Sequence, residues 1–103
     1  MSVFTKRLME ARKAAGLSQE RLGILANIDP VSASARMNQY EKGKHVPNIL
    51  VVRQIAAALN VPEAYFYASD DEAAELLVMF HRLSKEKRLR VLQAVEAIAA
   101  SQG

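Results

Sequence analysis

Cysteine and tryptophan are absent from this chain of 103 residues, and glycine and proline are scarce, with four and three copies. Without cysteine there is no disulfide framework, no thiolate metal site and no cysteine nucleophile, which suits a reducing cytoplasm. A long apolar run is missing too. The best one, Ile49 to Val61, is broken by Arg53 and Gln54 and is too short to cross a bilayer. Met1 to Arg12 is charged and amphipathic, with no apolar segment of signal-peptide type. No alternating strand pattern, internal repeat or low-complexity tract occurs. A Gly-rich phosphate loop and a nucleophile elbow are likewise missing. His45 and His81 are the only histidines and lack ligand spacing to carboxylates. The acidic cluster Asp70, Asp71, Glu72 and Glu75 reads as a favourable helix start rather than a metal site. Neither an enzyme, nor a metal, nor a cofactor is expected.

What remains is a chain half hydrophobic and 24 % charged, rich in alanine and leucine, which reads as globular and all-α. The net charge of +3 is uneven. From Met1 to Ser69, nine Lys/Arg face five Asp/Glu, whereas from Asp70 to Gly103 five face six. The basic excess thus lies in the N-terminal two thirds, as a phosphate-facing surface requires.

Helical periods run through the whole chain. Phe4, Leu8, Ala11 and Ala15 make an amphipathic first helix stopped by Gly16. Ser18 caps a second helix with Leu22 and Leu25 inward. Asp29 as cap and Pro30 at the first helical position predict the start of a third helix that runs to about Lys42 and stops at Gly43. Asn48 caps a fourth helix that buries Val51, Val52, Ile55, Ala56 and Leu59, with Asn60 ending it. Pro62 to Tyr67 reads as a short helical turn. Ser69-Asp70-Asp71 is a polar break, dividing a domain at 1–68 from a helical extension at 69–103. Two further helical patterns follow, one burying Ala73, Leu76, Leu77, Phe80 and Leu83, the other capped by Ser84 with a stripe of Leu89, Leu92, Val95, Ile98 and Ala99.

The stretch Gly16-Leu17-Ser18-Gln19-Glu20, Leu22, then Tyr40-Glu41-x-Gly43, Pro47 and Ile55-Ala56-x-x-Leu59-x-Val61 resembles the phage repressor and Cro helix-turn-helix family, also called the xenobiotic-response-element type. The resemblance covers Val3 to Tyr67. It implies five short helices, the second and third forming the helix-turn-helix, and sequence-specific binding of double-stranded DNA, commonly as a homodimer on an inverted repeat. It also implies a phosphate contact at Gln19 and a structural ion pair between Arg12 and Glu41. This chain departs from the family spacing by about four extra residues between Leu22 and Gly43, around Asp29 to Ser34. They either lengthen the turn, so that the third helix starts at about Ser32, or extend its start back to about Asp29.

Ala33, Met37 and Tyr40 share one apolar face, which points Ala35, Asn38, Gln39 and Lys42 outward, with Ser34 and Arg36 on the flanks. Counting back from Gly43, the resemblance puts base reading at Ser34, Ala35, Arg36 and Gln39. The candidate base-reading set is therefore Ser34, Ala35, Arg36, Asn38 and Gln39. Gln or Asn can bond an adenine edge twice, Arg a guanine edge, and a small apolar group can touch a thymine methyl. Lys42, Lys44 and His45 surround Gly43, where backbone N–H groups are a further candidate for phosphate contact.

The C-terminal stripes either complete the core of one chain or pair with a second copy, with Leu89, Leu92, Val95 and Ile98 as the dimer interface. A dimer places two reading helices on half-sites roughly 34–36 Å apart. The leading expectation is a cytoplasmic DNA-binding repressor. The alternative is a protein-binding module, antitoxin-like or an adaptor, that uses the C-terminal helices to hold a protein partner.

Overall fold

A computed structural model describes residues 2–101 as six α-helices and one short 3₁₀ segment, with no strand among them. The helices are α1 (Val3–Ala14), α2 (Gln19–Leu25), α3 (Ala33–Glu41), α4 (Ile49–Leu59), α5 (Asp71–His81) and α6 (Lys85–Ala100), with the 3₁₀ segment at Glu63–Tyr67 between α4 and α5. Four α-helices and the 3₁₀ segment, the short helical turn expected after Pro62, thus make up the five helical elements before Ser69, and two helices follow.

Side-chain caps start five of the helices: Ser2, Ser18, Asn48, Asp70 and Ser84 each accept from a backbone N–H three residues on. The exception is α3, whose N-cap Ser32 makes no side-chain cap bond. The predicted start at Asp29 does not hold. The Asp29 carboxylate accepts instead from the N–H of Val31 at 2.9 Å, and its carbonyl accepts from Ser32 at 3.0 Å, which closes a turn. The extra residues therefore lengthen the turn rather than the helix, and α3 ends at Glu41 with Lys42 as its cap.

Left-handed residues end four helices: Gly16, Asn27, Gly43 and Asn60 all have positive φ. At each, two backbone bonds fold back over the last turn, as in Lys44 N–H to Gln39 at 2.9 Å and Val61 N–H to Ala56 at 3.0 Å.

The core runs from Leu8 through Leu22, Met37, Ile55, Leu59 and Phe66, all buried. Gly23 sets how closely α2 and α3 approach. A Cβ built there lies 2.8 Å from the Ala33 Cβ and 3.0 Å from the Ala33 carbonyl oxygen, so only glycine admits this crossing. The 3₁₀ segment closes the domain onto α1 through Phe4 and Phe66, whose rings lie 5.3 Å apart, and through the Tyr65 hydroxyl, which donates to the Arg7 carbonyl at 3.3 Å.

Four inward assignments change. Leu25 is exposed, because the turn after α2 sends Ala26 and Ile28 into the core in its place. Ala15 is exposed at the end of α1. On α5, Ala74 is buried and Val78 packs on the core, whereas Ala73 and Leu76 are exposed. A small side chain is needed where α5 lies close on the domain, and that outweighs hydrophobicity. In α6 no residue is buried, and the molecule is correspondingly long, 55 × 28 × 23 Å.

Candidate nucleic-acid interface

The third helix divides cleanly by burial. Ala33, Met37, Tyr40 and Glu41 face the core, and Ser34, Ala35 and Arg36 are exposed. Asn38 and Gln39 are half-buried on the edge between the two faces. Inward packing thus anchors α3 on a period near 3.6 and leaves the polar side chains at the surface.

A polar network stiffens that edge. Glu41, only 2 % exposed, receives the Arg12 guanidinium in a two-point contact, Nε to Oε2 at 2.6 Å and Nη2 to Oε1 at 3.1 Å. The third Arg12 bond goes to the Leu17 carbonyl at 2.9 Å. The planar fork matches the carboxylate, and every buried side-chain polar atom among the described residues finds a partner. Gln19 extends the network: its Nε2 donates to Glu41 Oε1 at 3.1 Å and to Asn38 Oδ1 at 3.2 Å. Arg12, Glu41, Gln19 and Asn38 are therefore brought together, with the Asn38 oxygen turned toward Gln19 and its NH₂ left to donate elsewhere.

Arg36 lies back along the helix and donates to the Tyr40 hydroxyl at 3.1 Å. With Gln39, Tyr40, His45, Val46 and Pro47 it lines a shallow hollow of about 310 Å³ beside α3. Lys42, Lys44 and His45 are exposed on the loop beyond the helix. The expectation that backbone N–H groups around Gly43 are available is corrected. Those of Lys42, Gly43, Lys44 and His45 close the end of α3 on the carbonyls of Asn38, Tyr40 and Gln39. Side chains carry the charge of this loop, and its backbone is committed to the helix end. Leu89, Leu92, Val95 and Ile98 stand apart from this surface on α6, between 51 and 64 % exposed.

Two determinants were not singled out from the sequence. Gly23 was passed over because nothing in a sequence reports the approach of another helix. Arg7 is a charged residue in an amphipathic helix, yet its side chain is only 4 % exposed. It bonds the carbonyls of Ala68 and Ser69 and the carboxylates of Glu10 and Asp71. Burial alone would lower the Arg7 guanidinium, but Asp71 and Glu10 outweigh it and hold it above its ordinary value. In turn Arg7, and after it Lys6, holds the Asp71 carboxyl below its ordinary range. Burial and then Glu10 push the Tyr65 phenol up. Among the described residues no group of His, Asp and Glu is placed to hold a metal ion, and no helix is long and apolar enough to cross a membrane.

Comparison with known proteins agrees with this geometry. Residues 8–66 match a family described as helix-turn-helix. Over the full length of both chains, the protein is 44 % identical to a solved structure titled "Crystal structure of transcriptional regulator BswR", with a TM-score of 0.86. No curated protein matches it.

Proposed function

Since the chain belongs to the helix-turn-helix family of DNA-binding regulators, we propose that it is a cytoplasmic repressor that binds an inverted repeat as a homodimer and lays α3 in the major groove. The observation that carries this reading is the division of α3. Its apolar side is locked into the core, while Ser34, Ala35 and Arg36 are presented at the surface with Asn38 and Gln39 beside them. Arg36, swung off Tyr40, suits a guanine edge, Gln39 an adenine edge, and Ala35 a thymine methyl. Lys42, Lys44 and His45 then meet phosphates and position the domain without reading sequence. Gln19 reaches a phosphate by giving up one of its two internal bonds.

The dimer is supported by α6, whose stripe of Leu89, Leu92, Val95 and Ile98 finds no cover among the described residues. The same uncovered stripe, with Leu76 and Met79 of α5, also suits a heterologous protein partner, and on that reading the chain is an adaptor or an antitoxin.

Selection from a random duplex pool at low and moderate salt tests the proposal. The purified protein is expected to enrich an inverted repeat that survives moderate salt. The double variant Arg36→Ala, Gln39→Ala should stay folded and lose the preference, at about 1–3 kcal/mol for each contact. Uniform binding that disappears with salt would mean phosphate attraction alone and would refute base reading.

A further inference from the structure

Two short joints connect the reading domain to α6, one before α5 and one between α5 and α6, and guanidinium groups hold both. At the first, the Arg7 Nε donates to the Ala68 carbonyl at 2.9 Å, and Nη2 lies 3.3 Å from the Ser69 carbonyl and 3.0 Å from Asp71 Oδ1. At the far end of α5, Arg82 reaches back to the reading domain. Its Nε donates to the Asn60 carbonyl at 3.0 Å and its Nη2 to the Leu59 carbonyl at 3.3 Å. At the second joint, Arg88 of α6 donates to the carbonyls of Phe80 at 3.1 Å and His81 at 2.6 Å, with its guanidinium carbon 5.2 Å from the centre of the Phe80 ring.

Each clamp uses carbonyls at the end of a helix or in a loop, and that of Phe80 also accepts from the Leu83 N–H at 3.1 Å. Each uses at least two N–H groups of one rigid planar fork, so it fixes a direction as well as a distance. Three such clamps in series turn α5 and α6 from a tether into a lever.

We propose that Arg7, Arg82 and Arg88 are positioning residues that set the separation and relative rotation of the two reading helices in the dimer, and so select the half-site spacing. This inference rests on the dimeric reading given above. Moving a half-site by two base pairs shifts it about 7 Å along the DNA and turns it about 70° around the axis. A rigid lever cannot follow that rotation, whereas a loose one can, at the expense of effective concentration.

The test takes the inverted repeat selected by the full chain and rebuilds it with the spacer shortened or lengthened by one and two base pairs. Affinity on each duplex is read by fluorescence anisotropy for the wild type, Arg82→Gln and Arg88→Gln. Sedimentation and circular dichroism establish that each variant is dimeric and helical. Arg88 bonds only the end of α5, so its variant leaves the core intact if Arg82→Gln does not fold. The wild type is expected to lose about a hundredfold at two base pairs off its preferred spacing. The variants should lose about tenfold on the preferred spacing and show less than about tenfold difference across the series. Folded dimeric variants that keep the sharp wild-type profile would overturn the inference. So would a wild-type dimer that accepts every spacing equally, and that result leaves the dimer standing. A monomeric wild type overturns the dimeric reading and this inference together.

Discussion

The first two thirds of the chain and the last third are written in the same language of helical stripes, but they spend those stripes differently. From Thr5 to Phe66 the apolar sides of α1 to α4 meet one another, and the half-buried Arg12 pairs with the buried Glu41 between α1 and α3. Beyond Ser69, Ala74 alone among the described residues is buried, and the stripe of α6 is bare. The lesson is that an amphipathic period announces a need for cover without saying who supplies it. In the reading domain Gly23 permits a close crossing of α2 and α3, and the chain covers itself. In the extension a long helix leaves through a clamped corner and carries its apolar side away from the core.

Three changes test that contrast, beginning with the largest effect. Glu41→Ala strikes the reading domain at its least forgiving point. It leaves the Arg12 guanidinium and the Gln19 amide without their shared acceptor, and should destabilise the fold by about 3–5 kcal/mol in denaturant titration. An intact midpoint would mean that the pair is dispensable. Leu92→Asp strikes the extension and should leave the thermal stability of the reading domain alone. It should convert the dimer to a monomer in sedimentation and weaken binding to the inverted repeat by about a hundredfold or more. Unchanged sedimentation would remove α6 from the interface.

The smallest effect lies at the border between the two regions. Arg7 and Lys6 favour the ionised form of Asp71 and hold its carboxyl below its ordinary value of 3.8, so the carboxylate stabilises the fold above that value. That contribution is lost as pH falls through the lower folded-state value. The melting temperature of the wild type should therefore exceed that of Asp71→Asn near neutrality, and the two should converge in acid once Asp71 is protonated in the folded state as well. Because Asp71 is exposed, added salt should narrow the gap at neutral pH. A gap that is unaffected by acid would show that the charge is not what holds this border.

Much of this was legible in the residues. Ser18, Asn48 and Ser84 cap where their side chains and the periods after them predict, because a cap is a local bond. Ala33, Met37 and Tyr40 are buried together because a spacing of i, i+4 and i+7 puts them on one side of a helix. The failures share a cause in distance along the chain. Asp29-Pro30 has the chemistry of a helix start, but α3 begins where Ala33 can rest on Gly23, ten residues earlier. Leu76 has the hydrophobicity of a core residue, yet Ala74 is the buried one, because the packing of α5 on the 3₁₀ segment is not written in either residue. Arg7 meets Ala68, Ser69 and Asp71 more than sixty residues away, and no period in α1 reports them. Within the candidate interface, residue types and outward direction were readable. The tie from Gln19 to Asn38 was not, since it depends on how α2 and α3 cross.

The partition of α3 has a consequence for how such a protein changes over generations. Ser34, Ala35 and Arg36 lie outside the core, so they are free to vary with little effect on folding, while Ala33, Met37, Tyr40 and Glu41 beneath them are not. On the proposed reading of α3, a lineage carrying this scaffold can therefore drift to a new DNA sequence by altering three neighbouring surface positions, without passing through an unfolded ancestor.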